Sequence, residues 1–133
     1  MALGSGPSGL VVMVTHDGGA TWTLRPGPAG VDLSRYGSVV LIAFAAADEH
    51  SWVLYPGPAL YRTDDGGASW QTIRPNMEWQ GAAYLRFTSP SDGWIVVTTG
   101  LCSYDKSSCG VRSLLLVTRD GGRTLHAVAP PSG

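Results

Sequence analysis

Positive charge is scarce in this sequence. Lysine occurs once, as Lys106, and eight arginines are spread along 133 residues. A surface that tracks phosphates needs clustered Lys and Arg, so nucleic acid is excluded as a partner class. Glutamate is rarer still, with only Glu49 and Glu78, and the net charge is −1. No apolar run approaches the ~20 residues of a membrane span, so no spanning segment is expected. The start, Met1 to Gly9, lacks the charged and apolar regions of a signal peptide.

Cysteine is limited to Cys102 and Cys109, six polar residues apart. Half of a metal site or a redox pair is one reading. The spacing is not C-x-x-C, however, and no histidine lies nearby to complete a tetrahedral site. A disulfide closing a long loop fits better, and would stabilise by roughly 2 kcal/mol. It implies an oxidising compartment, extracellular, periplasmic or at the cell envelope.

What is abundant is glycine, at 18 residues, with nine prolines, as suits many short strands and tight turns. Internal repeats organise them. Thr15 to Trp22 reads T-H-D-G-G-A-T-W, Thr63 to Trp70 reads T-D-D-G-G-A-S-W, and Thr118 to Leu125 reads T-R-D-G-G-R-T-L. Asp17, Asp65 and Asp120 stand 48 and 55 residues apart, a period that fits one four-stranded propeller blade. Apolar runs flank each copy, so each is a strand, a Gly-rich turn and a strand. The Asp side chain is expected to accept backbone N–H groups of the turn, where the glycines take positive φ. A Trp just past the turn can cover the hairpin.

Two further strands precede the second and third copies. Val39 to Phe44 is followed by Ser51 to Leu54, and Ala82 to Phe87 by Trp94 to Val97. Phe44 to Trp52 is matched here with Phe87 to Trp94. The expected fold is all-β: about two and a half four-stranded antiparallel blades, a partial propeller. Residues 1–8 read as a flexible leader, 9–28 as a half blade, and 37–77 and 79–131 as full blades. The long Gly100 to Arg112 loop holds both cysteines. An open arc leaves apolar faces bare, so further blades of a longer chain or association of copies are expected to cover them.

The pattern Ser/Thr-x-Asp-x-Gly-x-Ser/Thr-Trp resembles the Asp-box, or BNR, repeat of sialidases, sortilin-type receptors and photosystem II assembly-factor-like propellers. The double glycine and Asp92-Gly93-Trp94 are most similar to the last group. Residues carrying the motif are Thr15, Asp17, Gly19, Thr21 and Trp22; Thr63, Asp65, Gly67, Ser69 and Trp70; and Thr118, Asp120, Gly122 and Thr124. The third box departs from the pattern with Leu125 in place of Trp. The resemblance implies a structural role for the boxes, away from the binding face.

Catalytic residues are not evident. A sialidase would need an arginine triad, a Tyr–Glu nucleophile pair and an acid Asp. Tyr61-Arg62 lacks the Arg-Ile-Pro context, and Glu49 reads as a solvated turn. Gly4 to Gly9 matches G-x-G-x-x-G only formally, because no strand precedes it and no helix follows. Neither cofactor nor metal is expected. The reading is a non-catalytic binding or scaffold module with a protein or glycan partner; a fragment of a sialidase-like glycoside hydrolase is the alternative. The candidate surface is Glu78, Trp79, Arg86, Tyr104 and Lys106, since aromatic residues with Arg anchor interfaces.

Overall fold

The computed structural model describes residues 2–6, 9–31, 42–56, 59–76, 81–99, 110 and 112–129. Among them are eleven strands and no helix. In chain order they are β1 (Ala2–Gly6), β2 (Gly9–Val14), β3 (Thr23–Pro26), β4 (Ala43–Ala46), β5 (Trp52–Tyr55) and β6 (Leu60–Thr63). They continue with β7 (Gln71–Ile73), β8 (Gly81–Phe87), β9 (Gly93–Thr99), β10 (Arg112–Thr118) and β11 (His126–Ala127). Three antiparallel sheets result, ordered β1-β2-β3, β4-β5-β6-β7 and β8-β9-β10-β11. The chain is an all-β protein of partial propeller blades. The second and third blades each join two upstream strands to an Asp-box hairpin, as their repeats predict.

The first blade differs from its expectation. Ala2–Gly6 is a strand rather than a leader, paired with β2 from Ala2↔Met13 to Gly6↔Gly9. Gly9 turns this corner with φ 118°, a conformation other residues rarely adopt. The composition of Ala2–Gly6 carries little strand preference of its own. Its strand state comes from the unpaired edge of β2, and from Leu3 packing on the core beyond. By register β1 stands where β5 and β9 stand in their blades, so no described strand fills the innermost position, that of β4 and β8.

Alternation along each strand builds the core. Leu10, Val12 and Val14 of β2 pack with Trp52 and Leu54 of β5 between the first and second blades. Val53 and Tyr55 of β5 point the other way, meeting Leu85, Phe87, Ile95, Val97 and Leu116 of the third blade. All four residues of β5 are buried, because its blade is covered on both faces. Along the inner side, β4 and β8 lie against each other.

Register corrects one equivalence drawn from the sequence. Trp52 pairs with Thr63, whereas the residue opposite Thr118 is Gly93, not Trp94. Trp94 is therefore the counterpart of Val53, and the one-residue offset turns its side chain to the opposite face. The volume Trp52 supplies in the second blade comes from across the ladder in the third. Trp52 faces Ala46, and Gly93 faces Phe87. A Cβ on Gly93 would stand 2.7 Å from both the Phe87 ring and the Arg86 carbonyl. Gly93→Ala is expected to cost about 1–3 kcal/mol by overpacking. Urea unfolding measures this, and an unchanged midpoint would count against the volume exchange.

Candidate functional site

Each Asp box closes its hairpin with the same set of hydrogen bonds. In the first, the Thr15 hydroxyl donates to Asp17 Oδ1 (2.8 Å) and accepts the Gly19 N–H (2.8 Å). Asp17 then accepts the Thr21 N–H at Oδ1 (2.8 Å) and the Thr21 hydroxyl at Oδ2 (2.6 Å). Thr63, Asp65, Gly67 and Ser69 repeat this arrangement, as do Thr118, Asp120, Gly122 and Thr124. Both glycines of every box have positive φ, from 68° at Gly66 to 100° at Gly122. The second glycine's N–H reaches the Thr hydroxyl, while the Gly66 and Gly121 N–H groups donate to the His50 and Ser91 carbonyls, so the positive φ at both positions makes the double glycine a requirement of the turn.

These bonds favour the charged carboxylates. Asp17 is lowered from 3.8 to about 2, first by the Thr21 hydroxyl, then by the Thr21 N–H and the Thr15 hydroxyl. Asp65 and Asp120 are lowered to about 2 as well, led by the hydroxyls of Ser69 and Thr124. Asp48 is also lowered, by the N–H groups of His50 and Ser51.

In the second and third boxes the following residue reaches the preceding blade. Trp70 tilts against Trp52, with ring centroids 6.4 Å apart, and its indole N–H donates to the Pro26 carbonyl (3.0 Å). Leu125 has no such donor. Its backbone N–H instead donates to Asn76 Oδ1 (2.8 Å), and Asn76 Nδ2 donates to its carbonyl (3.3 Å). Asn76 thus joins the second and third blades where the third box departs from Trp. The signal for it was that departure, which left a junction needing another polar tie. Trp22 has no preceding blade among the described residues; its indole bonds its own Gly19 carbonyl (3.0 Å) and the residue is exposed.

Arg62 is the other junction residue that the sequence did not single out. Its buried guanidinium pairs with Asp64 and donates to the Pro90 carbonyl of the third blade. That bond set pulls the Asp64 carboxyl below its usual range.

Of the five residues proposed from sequence as a binding surface, only Arg86 lies within the described residues. It is exposed on β8, with its guanidinium 5.9 Å from the Trp94 ring centroid. Glu78, Trp79, Tyr104 and Lys106 lie outside the described residues, as do Cys102 and Cys109. At one end of the third blade Gly81 pairs with Thr98 and Arg112 with Thr99. The third box is at the opposite end, with Thr118 paired to Gly93. Arg86 sits near the box end, roughly 15 Å along β8 from Gly81 at the usual rise per residue. Among the described residues, no three His, Cys, Asp or Glu side chains gather as a metal site. No helix is long and apolar enough to cross a membrane.

Three antiparallel blades with Asp boxes define a propeller-like protein. The BNR/Asp-box repeat family matches residues 13–24, the first hairpin. The second and third boxes are similar to that matched repeat in sequence pattern and in hydrogen bonds. A solved structure of YCF48 bound to D1 peptide is similar at 18% identity, covering 89% of this chain and 60% of that one, with a TM-score of 0.35. The chain thus spans about three fifths of that structure's length. Comparison with curated proteins yields no match.

The depressed carboxyls make stability depend on acid. A folded-state value of about 2 against 3.8 means the charged boxes stabilise the fold above about pH 4. That contribution is lost as pH falls through about 2. The urea midpoint is expected to drop progressively between about pH 4 and pH 2. Substituting Asp17, Asp65 and Asp120 together with Asn should flatten the drop, and an equally steep profile in that variant would contradict the assignment.

Proposed function

We infer that the chain is a non-catalytic binding or scaffold module of a secreted or cell-envelope protein. The observation that carries this reading is the use of its charged groups for structure. Asp17, Asp65 and Asp120 are held by hairpin donors and lie low in pKa, poorly suited to act as general acids near neutral pH. Arg62, which an anionic sugar would need free, is buried against Asp64 and the Pro90 carbonyl. The candidate ligand surface of this reading is Glu78, Trp79, Arg86, Tyr104 and Lys106, of which Glu78 and Trp79 precede β8 in sequence, Arg86 lies on β8, and Tyr104 and Lys106 fall between β9 and β10 in sequence. Aromatic and charged side chains of this kind suit a protein or glycan partner.

A fluorogenic sialoside separates this reading from a glycosidase. The chain is expected to release no fluorophore above buffer. Turnover that disappears in Glu78→Gln would replace the binding module with an enzyme.

Residence outside the cytosol rests on the proposed Cys102–Cys109 disulfide. Protein made under oxidising conditions should show no titratable thiol before reduction and two afterwards. Two thiols in the native protein would remove the basis for that localisation.

A further inference from the structure

Four Asp-Gly pairs occur in the chain: Asp17-Gly18, Asp65-Gly66, Asp92-Gly93 and Asp120-Gly121. Glycine has no Cβ to shield its nitrogen or restrict its backbone, so this dipeptide is the most open to attack of that nitrogen on the preceding carboxyl. Three of the pairs belong to Asp boxes. Their carboxylates accept the same donors and all lie at about 2, so charge does not tell them apart. What differs is the hold on the glycine nitrogen and the room around it.

In the second box the Gly66 N–H donates to the His50 carbonyl (2.9 Å), and in the third the Gly121 N–H donates to the Ser91 carbonyl (2.9 Å). Among the described residues the Gly18 N–H has no such acceptor. Exposure follows the same order: Gly18 is exposed together with Asp17, Gly66 is half-buried and Gly121 is buried. A Cβ on Gly121 would strike the Arg62 guanidinium, and one on Gly66 would touch the Glu49 carbonyl at 3.7 Å. At Gly18 it would meet no described residue within 4 Å. The second glycines are covered in the same sequence. Gly67 lies against the Trp52 ring and Gly122 against Leu60, whereas Gly19 meets, among the described residues, only Trp22 of its own box. Gly93 is buried inside its sheet, between Phe87 and Thr118. The first box therefore has the turn whose glycine nitrogen is least restrained from swinging onto its carboxyl.

We propose that Asp17-Gly18 is a spontaneous modification site, converting to isoaspartate ahead of the other three Asp-Gly pairs. The Gly18 nitrogen attacks Asp17 Cγ and forms a C–N bond. The carboxyl C–O bond breaks, and the hydroxyl leaves with the amide proton as water, closing a five-membered imide. Water then adds to one of the two imide carbonyls. Addition at the former side-chain carbonyl restores aspartate. Addition at the former main-chain carbonyl leaves isoaspartate, with the backbone running through Asp17 Cβ and Cγ. One water is lost and one regained, and nothing is oxidised or reduced. The turn then carries one more backbone atom, and the carboxylate that accepted the Thr21 N–H and hydroxyl is displaced. The first hairpin loses its clasp while the second and third keep theirs.

Peptide mapping of the folded 133-residue chain, held in mildly acidic buffer and sampled over weeks, tests this. Isoaspartyl and aspartyl peptides share a mass but separate chromatographically, and the imide shows as a peptide lighter by one water. Isoaspartate is expected to accumulate at Asp17 several-fold faster than at Asp65, Asp92 or Asp120. In urea the hydrogen bonds and packing that protect the other pairs are gone, so all four should convert at comparable rates. Equal rates at the three boxes of the folded chain overturn the proposal. So does conversion led by Asp65, Asp92 or Asp120, or a folded chain in which Asp17 stays intact while the urea sample converts. A lead of Asp17 that persists undiminished in urea also overturns it, because the neighbouring sequence rather than the fold would then set the rate.

Discussion

The Thr hydroxyl that accepts a glycine N–H while donating to the box aspartate is the interaction on which the blades depend. Thr63 and Thr118 are buried at the last residue of β6 and β10, and Thr15 directly follows β2. From there each ties the strand end to the turn through Gly67, Gly122 and Gly19. Closing the turn in one way sets which residue of the incoming strand pairs with which of the outgoing strand. In a sheet buried on both faces, this register decides every side chain's destination, because a slip by one residue exchanges the faces.

The consequence is clearest in the second blade. Two neighbours that differ by one position, Leu54 and Val53, belong to different cores. Polar ties are placed where these cores meet: the Trp70 indole on the Pro26 carbonyl, the Asn76 amide on the Leu125 backbone, and Arg62 on the Pro90 carbonyl. The Asn76 and Arg62 ties lie in part-buried surroundings, where a polar group cut off from water needs a replacement partner. Arg62 carries a full charge into this setting, which is tolerable because Asp64 pairs with it on the same strand end.

Much of the architecture was legible in the repeats. The box spacing, the glycine pair and the flanking apolar runs specify hairpins through local chemistry, and hairpins repeating at blade length specify a propeller. Of the five side chains grouped as a candidate binding surface, Arg86 alone lies within the described residues, near the box end of β8. Distance along a strand is fixed by its rise, and which end a residue occupies depends on where pairing begins.

The sequence by itself determined the turns, the strand preference and the protonation state of the box aspartates, since these depend on residues within a few positions of one another. Tertiary structure decided the rest. Ala2–Gly6 became a strand because β2 had an open edge and the neighbouring blade a place for Leu3. Trp94, placed by sequence beside Trp52, faces the other way because Gly93 takes its rung and Phe87 fills the volume. Neither outcome can be read locally. Both follow from packing one sheet against another, where the space available is set by residues tens of positions away.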